Sequence, residues 1–162
     1  KAPQRRRLDG TSVASNTLAN NATWRVQIDL DEEAAVNAHG LRYCASIEPE
    51  NADANCNGFW MLFCLPAQVI DASTDLPENW AVFNDEDFLP YLWGVGCFTA
   101  SNQAPYHFEF APSTSRTCQR GARLIGYVVM TGISAGNVRV NSLLLVLHLR
   151  KPSYTRFFFT NL

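Results

Sequence analysis

Three arginines in a row, Arg5, Arg6 and Arg7, with Lys1 close by, are the residues of this chain best suited to chemistry with a partner. A guanidinium is always charged and its planar fork matches phosphate bidentately, so a basic run of this kind holds nucleic acid by its backbone without reading sequence. The cluster KAPQRRR is followed within a few residues by TSVASNTLANN, small and polar with no sustained period. Residues 1–21 therefore read as an arm outside the folded body, with Lys1, Arg5, Arg6 and Arg7 as the nucleic-acid-binding candidates. A solvated terminus, a protease site or a localisation signal would use the same residues.

Other reactive side chains are dispersed. His39, His107 and His148 are scattered along the chain, and no GxSxG, HExxH, P-loop or GxGxxG motif is present. No catalytic residue and no cofactor is nominated. The five cysteines, Cys44, Cys56, Cys64, Cys97 and Cys118, form no CxxC pair, which argues against zinc; they read as buried reduced thiols, with Cys64 and Cys97 inside apolar strands, rather than as the alternative, a disulfide framework. Carboxylates at Asp29, Asp31, Glu32 and Glu33, and at Asp85, Glu86 and Asp87, are of the type that binds Ca²⁺ at a subunit contact, or simply form solvated acidic loops. EF-hand spacing is absent.

Charge is segregated along the sequence. From Pro112 to Leu162 there are seven cations and no anion, whereas Asp31 to Pro90 holds twelve carboxylates against the single Arg42, so the net charge of −2 hides two opposite halves. A body with one acidic and one basic region is expected to dock head to tail on copies of itself.

The elements that must position these groups are short. At 162 residues, 47% hydrophobic and 12% aromatic, the chain fits a single domain whose aromatics favour sheets packed face to face. Strand-forming bursts alternate with Gly, Pro, Asn, Asp and Ser: ATWRVQIDL, LRYCASI, GFWMLFCL, YLWGVGCFTA, PYHFEFAP, ARLIGYVVMTGI, NVRVNSLLLVLHLRK and YTRFFFT. GFWMLFCL is apolar on both faces and is expected at the centre of a sheet. DEEAAVNAHG reads as one helical turn closed by Gly40, and DEDF as another short turn in the long connection from Pro66 to Pro90. The expectation is an all-β fold, an eight-stranded antiparallel jelly-roll sandwich over residues 22–162 with short helical turns in its loops. The chain opens on Lys1 rather than Met, as a processed product or a fragment would, no signal peptide is visible, and no apolar run approaches the about 20 residues of a membrane helix.

The stretch FEFAPSTSRTCQRGARLIGYVVMTG, residues 108 to 132, is the most patterned: a strand ending at Pro112, a polar corner, a tight turn at Gly121 and a new buried strand at Arg123. With KAPQRRR, the TSR at 114–116 and the RGARL at 120–124, it resembles the shell domain of small icosahedral viral coat proteins. That resemblance implies a single jelly roll that assembles with copies of itself, inside a host cell, into a virion around an RNA or single-stranded DNA genome. The arm cations would face the genome without sequence preference, and the connecting loops would meet neighbouring subunits or a host receptor. Two other classes stay open: a secreted lectin- or adhesin-like carbohydrate-binding sandwich, using the sequon at Asn21 and exposed Trp80 and Trp93, and a cupin-type enzyme whose histidines converge on a metal.

Overall fold

The computed structural model describes residues 4–13, 22–30, 38–69, 89–112 and 121–149. Its strands are β1 (Gln4–Val13), β2 (Ala22–Asp29), β3 (Ala38–Pro49), β4 (Asn55–Leu65), β5 (Leu92–Ser101), β6 (Tyr106–Phe110), β7 (Arg123–Ile133) and β8 (Asn137–Leu149), with single 3-10 turns at Ala67–Val69 and Leu89–Tyr91. They form two four-stranded antiparallel sheets, ordered β1-β8-β3-β6 and β2-β7-β4-β5. The first strand pairs with the last, the second with the seventh, the third with the sixth and the fourth with the fifth. This is one long hairpin rolled into a sandwich, the jelly roll that the strand rhythm predicts.

Alternation explains which face each strand buries. In β2, Trp24, Val26 and Ile28 enter the core between the sheets while Arg25, Gln27 and Asp29 turn outward. β4 sits between β7 and β5 and buries both faces: Cys56, Trp60, Leu62 and Cys64 inward, and Met61, Phe63 and Leu65 outward with Ile125, Tyr127 and Val129 of β7. In β8 the core residues change parity, from Val138 and Val140 to Leu143, Leu145 and Leu147. A bulge there shifts the register with both β1 and β3, and Ser142 takes a positive φ of 54°.

Rings from both sheets pack together in the core. Trp60 of β4 stacks on Phe108 of β6 with centroids 4.8 Å apart, Tyr43 meets Phe108 edge-on at 5.1 Å, and Trp60 Nε1 donates to Tyr106 Oη at 3.3 Å. Two glycines make this possible. A Cβ on Gly126 would lie 2.5 Å from the Tyr43 ring, and one on Gly96 would strike the Trp60 indole.

Three sequence expectations change. Residues 4–13, expected in an arm outside the body, run as an edge strand on β8, because ladder hydrogen bonds use backbone groups and do not require an apolar period. Gly40, expected at the close of a helical turn, lies in β3 opposite His148. Cys97 is exposed, because it sits on the outward row of an edge strand, while Cys44, Cys56 and Cys64 are buried free thiols. Lys1, Asn21, Trp80, Cys118, the acids at 31–33 and 71–87, the corner at 114–116 and the YTRFFFT segment lie outside the described residues.

Candidate functional site

In an antiparallel sheet, residues directly opposite one another share a face, so register alone assembles rows. On the β1-β8-β3-β6 sheet one row runs Arg5, Val146, Arg42, and another runs Arg7, Leu144, Cys44, Glu109. Two strand spacings separate Arg5 from Arg42, about 10 Å of backbone, and Arg5 lies about 7 Å along β1 from Arg7. Arg6 takes the alternate position, opposite Leu145 in the row of Tyr43, a row of the core. The arginine run is thus divided by the period of two, with Arg5 in the row of Arg42 and Arg7 in the row of Glu109.

This sheet carries partners for its cations. Arg42 Nε lies 3.8 Å from Glu109, both about half exposed. Arg139 donates to Glu50 at 3.0 Å and lies 3.7 Å from Glu48, and Asn137 donates to the second Glu50 oxygen at 3.1 Å. On the other sheet Arg123 donates to both carboxylate oxygens of Asp29. Arg139 of the basic stretch therefore meets Glu48 and Glu50 of the acidic one inside one molecule. The expected head-to-tail docking of opposite charges between copies loses these groups, because the fold lays the chain's end along its beginning.

The remaining candidates are distributed. His107 is exposed on β6 opposite Ser46, while His148 is exposed near the end of β8 opposite Gly40, so six residues of β3, about 20 Å, separate their rows. Among the described residues no three His, Cys, Asp or Glu side chains gather where a metal would be held. Burial pushes the Tyr43 hydroxyl well above its ordinary pKa, raises Tyr127 despite the Arg25 beside it, and raises the Cys56 thiol to about 11. Deprotonation of these three is disfavoured, the opposite of what a nucleophile needs. Trp93, expected to be exposed, is partly buried against the core, because a bulge between Leu92 and Gly94 turns it inward.

Sequence reasoning missed Arg42 and Arg139 as members of the cationic face. Neither stands in a basic run, and only cross-strand register puts Arg42 in the row of Arg5, across Val146, and Arg139 opposite Thr11. It missed Val95 as well, 54% exposed on β5, since YLWGVGCFTA gives no sign of which strand will end a sheet.

Comparison with known proteins finds no matching family model and no matching curated protein. Among solved structures, one titled "CBM4 structure and function" is similar over 89% of this chain and 78% of its own, at 8% identity and a TM-score of 0.43. An arabinose-bound α-L-arabinofuranosidase is similar over 91% of this chain at 4% identity and a TM-score of 0.38, and the chain spans only 24% of that protein. Neither likeness bears on activity.

Proposed function

We propose that this chain is a structural, non-catalytic coat subunit, a jelly roll that assembles with copies of itself into a closed shell around nucleic acid. The observation that supports the reading is the register of β1, which sets Arg5 opposite Val146 and Arg7 opposite Leu144, with Arg42 two strands away in the row of Arg5. Cations held on a rigid sheet neutralise phosphates with less ordering cost than a free arm, and they need no base contacts. The four free thiols of the described residues suit a reducing compartment during assembly.

A carbohydrate-binding sandwich is the second reading. It is favoured by Phe59 and Tyr91, partly buried rings on the outer side of the β2-β7-β4-β5 sheet, which is where a sugar-stacking platform would stand. Negative-stain microscopy with light scattering on the purified chain separates the two. Particles of tens of subunits containing nuclease-protected nucleic acid are expected. A stable monomer retained on a polysaccharide column overturns the coat reading.

A further inference from the structure

The two sheets present four outer strands, and three are protected against pairing with another chain. β1 carries Arg5, Arg6, Arg7 and Asp9; β2 carries Arg25 and Asp29; β6 is only five residues long and carries His107 and Glu109. Charges, short length and irregularity are how sheets keep their edges from extending into neighbours. β5 has none of the first two: it runs ten residues, LWGVGCFTAS, without one charged side chain. The exposed large hydrophobics of the described residues are Val95 on this strand, 54% exposed, and Leu89 in the turn that leads into it, 50% exposed.

We propose that the outer edge of β5 is where two copies of this chain meet, strand beside antiparallel strand about a two-fold axis, joining two β2-β7-β4-β5 sheets into one. The proposal names a subunit contact for the coat reading and rests on that reading. A second copy is the occupant because the coat reading requires copies to meet, and an uncharged strand paired with itself opposes like charges in no register, whereas β1 centred on Arg6 sets Arg5 against Arg7 and β2 centred on Arg25 sets that arginine against its equivalent. Among the four outer strands β5 alone has that freedom of register. Strand addition supplies the affinity through backbone hydrogen bonds, and the row Val95, Cys97, Thr99 adds side-chain contact across the junction.

The register is constrained by parity. For the outward row of one copy to continue that of the next, paired residue numbers must sum to an even value, so the axis passes through a residue rather than between two. The two registers with the longest overlap are centred on Gly96 and on Cys97. In the second, the two Cys97 thiols face each other. In the first, Cys97 faces Val95 of the other copy and the thiols are diagonal neighbours, with backbones about 7–8 Å apart. A short bismaleimide spans either.

Sedimentation of the wild type, Val95→Lys and Val95→Thr, with bismaleimide treatment of the wild type and Cys97→Ser, tests the contact. Val95→Lys is expected to weaken self-association by about ten-fold or more while Val95→Thr keeps it, with both variants retaining the wild-type circular dichroism. Cross-linked dimer is expected from the wild type and not from Cys97→Ser. Particles that survive Val95→Lys, or cross-linking that persists in Cys97→Ser, overturn the contact and leave the shell standing. Dimers that Val95→Lys dissolves, with no larger species, keep the contact and overturn the shell. A wild type that stays monomeric at every concentration overturns both.

Discussion

Arg139 donates to Glu50 across 3.0 Å although 89 residues of chain separate them. One belongs to the stretch without an anion and the other to the stretch crowded with carboxylates. Because β8 returns to lie beside β3, a cation from late in the chain meets a carboxylate from much earlier in it. Arg123, from the same anion-free stretch, pairs with Asp29, just ahead of the acidic stretch, on the other sheet.

These surface pairs hold strands in register more than they stabilise them. Arg139→Ala is expected to lower unfolding free energy by under about 1 kcal/mol, since the arginine is half exposed and solvent screens the pair. Chemical denaturation of Arg139→Ala, Glu50→Gln and the double variant checks this as a cycle. A coupling well above that value would mean that the pair is shielded from water.

The buried Tyr43 hydroxyl, which donates to the Tyr127 carbonyl at 2.8 Å, sets an alkaline limit. Its pKa lies well above the ordinary 10.0, Tyr127 is raised too, and Cys56 is raised from 9.0 to about 11. The unfolded chain releases these protons at ordinary values while the folded chain keeps them, so stability is full below about pH 9 and falls as pH rises past it. Melting followed by circular dichroism should show Tm declining between about pH 9 and pH 11.5, with tyrosinate absorbance appearing only on unfolding. Tyr43→Phe should cost about 1 kcal/mol at neutral pH and flatten that decline.

Close packing at Gly126 is a sensitive point of the core. Gly126→Ala places a methyl 2.5 Å from the Tyr43 ring, whose hydroxyl is pinned to the opposite sheet, so the ring has little freedom to retreat. Overpacking of this kind costs about 1–3 kcal/mol. Phe108→Ala, which removes the ring stacked on Trp60, should cost about 3–5 kcal/mol. Urea titration ranks the two, and a Gly126→Ala protein as stable as the wild type would show that the sheets can part locally.

Most of the strands were legible because burial on one face writes a period of two. β2 and β6 alternate without interruption, and GFWMLFCL announces its central place by being apolar throughout. The bulges were not legible: the parity change at Ser142 in β8 and the inward turn of Trp93 come from backbone irregularity that side-chain type does not encode. β1 was hidden for the opposite reason. A strand at a sheet edge can be polar on both sides, so QRRRLDGTSV carries the composition of an arm and the hydrogen bonds of a ladder. The cationic face was legible only as its arginine run, since its other members come from register between strands distant in sequence.

Salt separates the two kinds of contact. Arg5 and Arg7 would bind phosphate by releasing counterions, so replacing both with Ala should lower nucleic-acid content and reduce the slope of log affinity against log salt by about 1.4 for single strands. Self-association through β5 joins uncharged strands, and Arg123 and Arg139, the described cations of the basic stretch, are already engaged within the molecule. Added sodium chloride should leave that contact nearly unchanged, and sulfate should strengthen it by favouring apolar burial. Fluorescence anisotropy with a labelled oligonucleotide and sedimentation without it, across one salt series, should therefore give opposite trends in sulfate. Self-association that weakens in parallel with nucleic-acid binding would place charged residues in the subunit contact and exclude the uncharged edge as its centre.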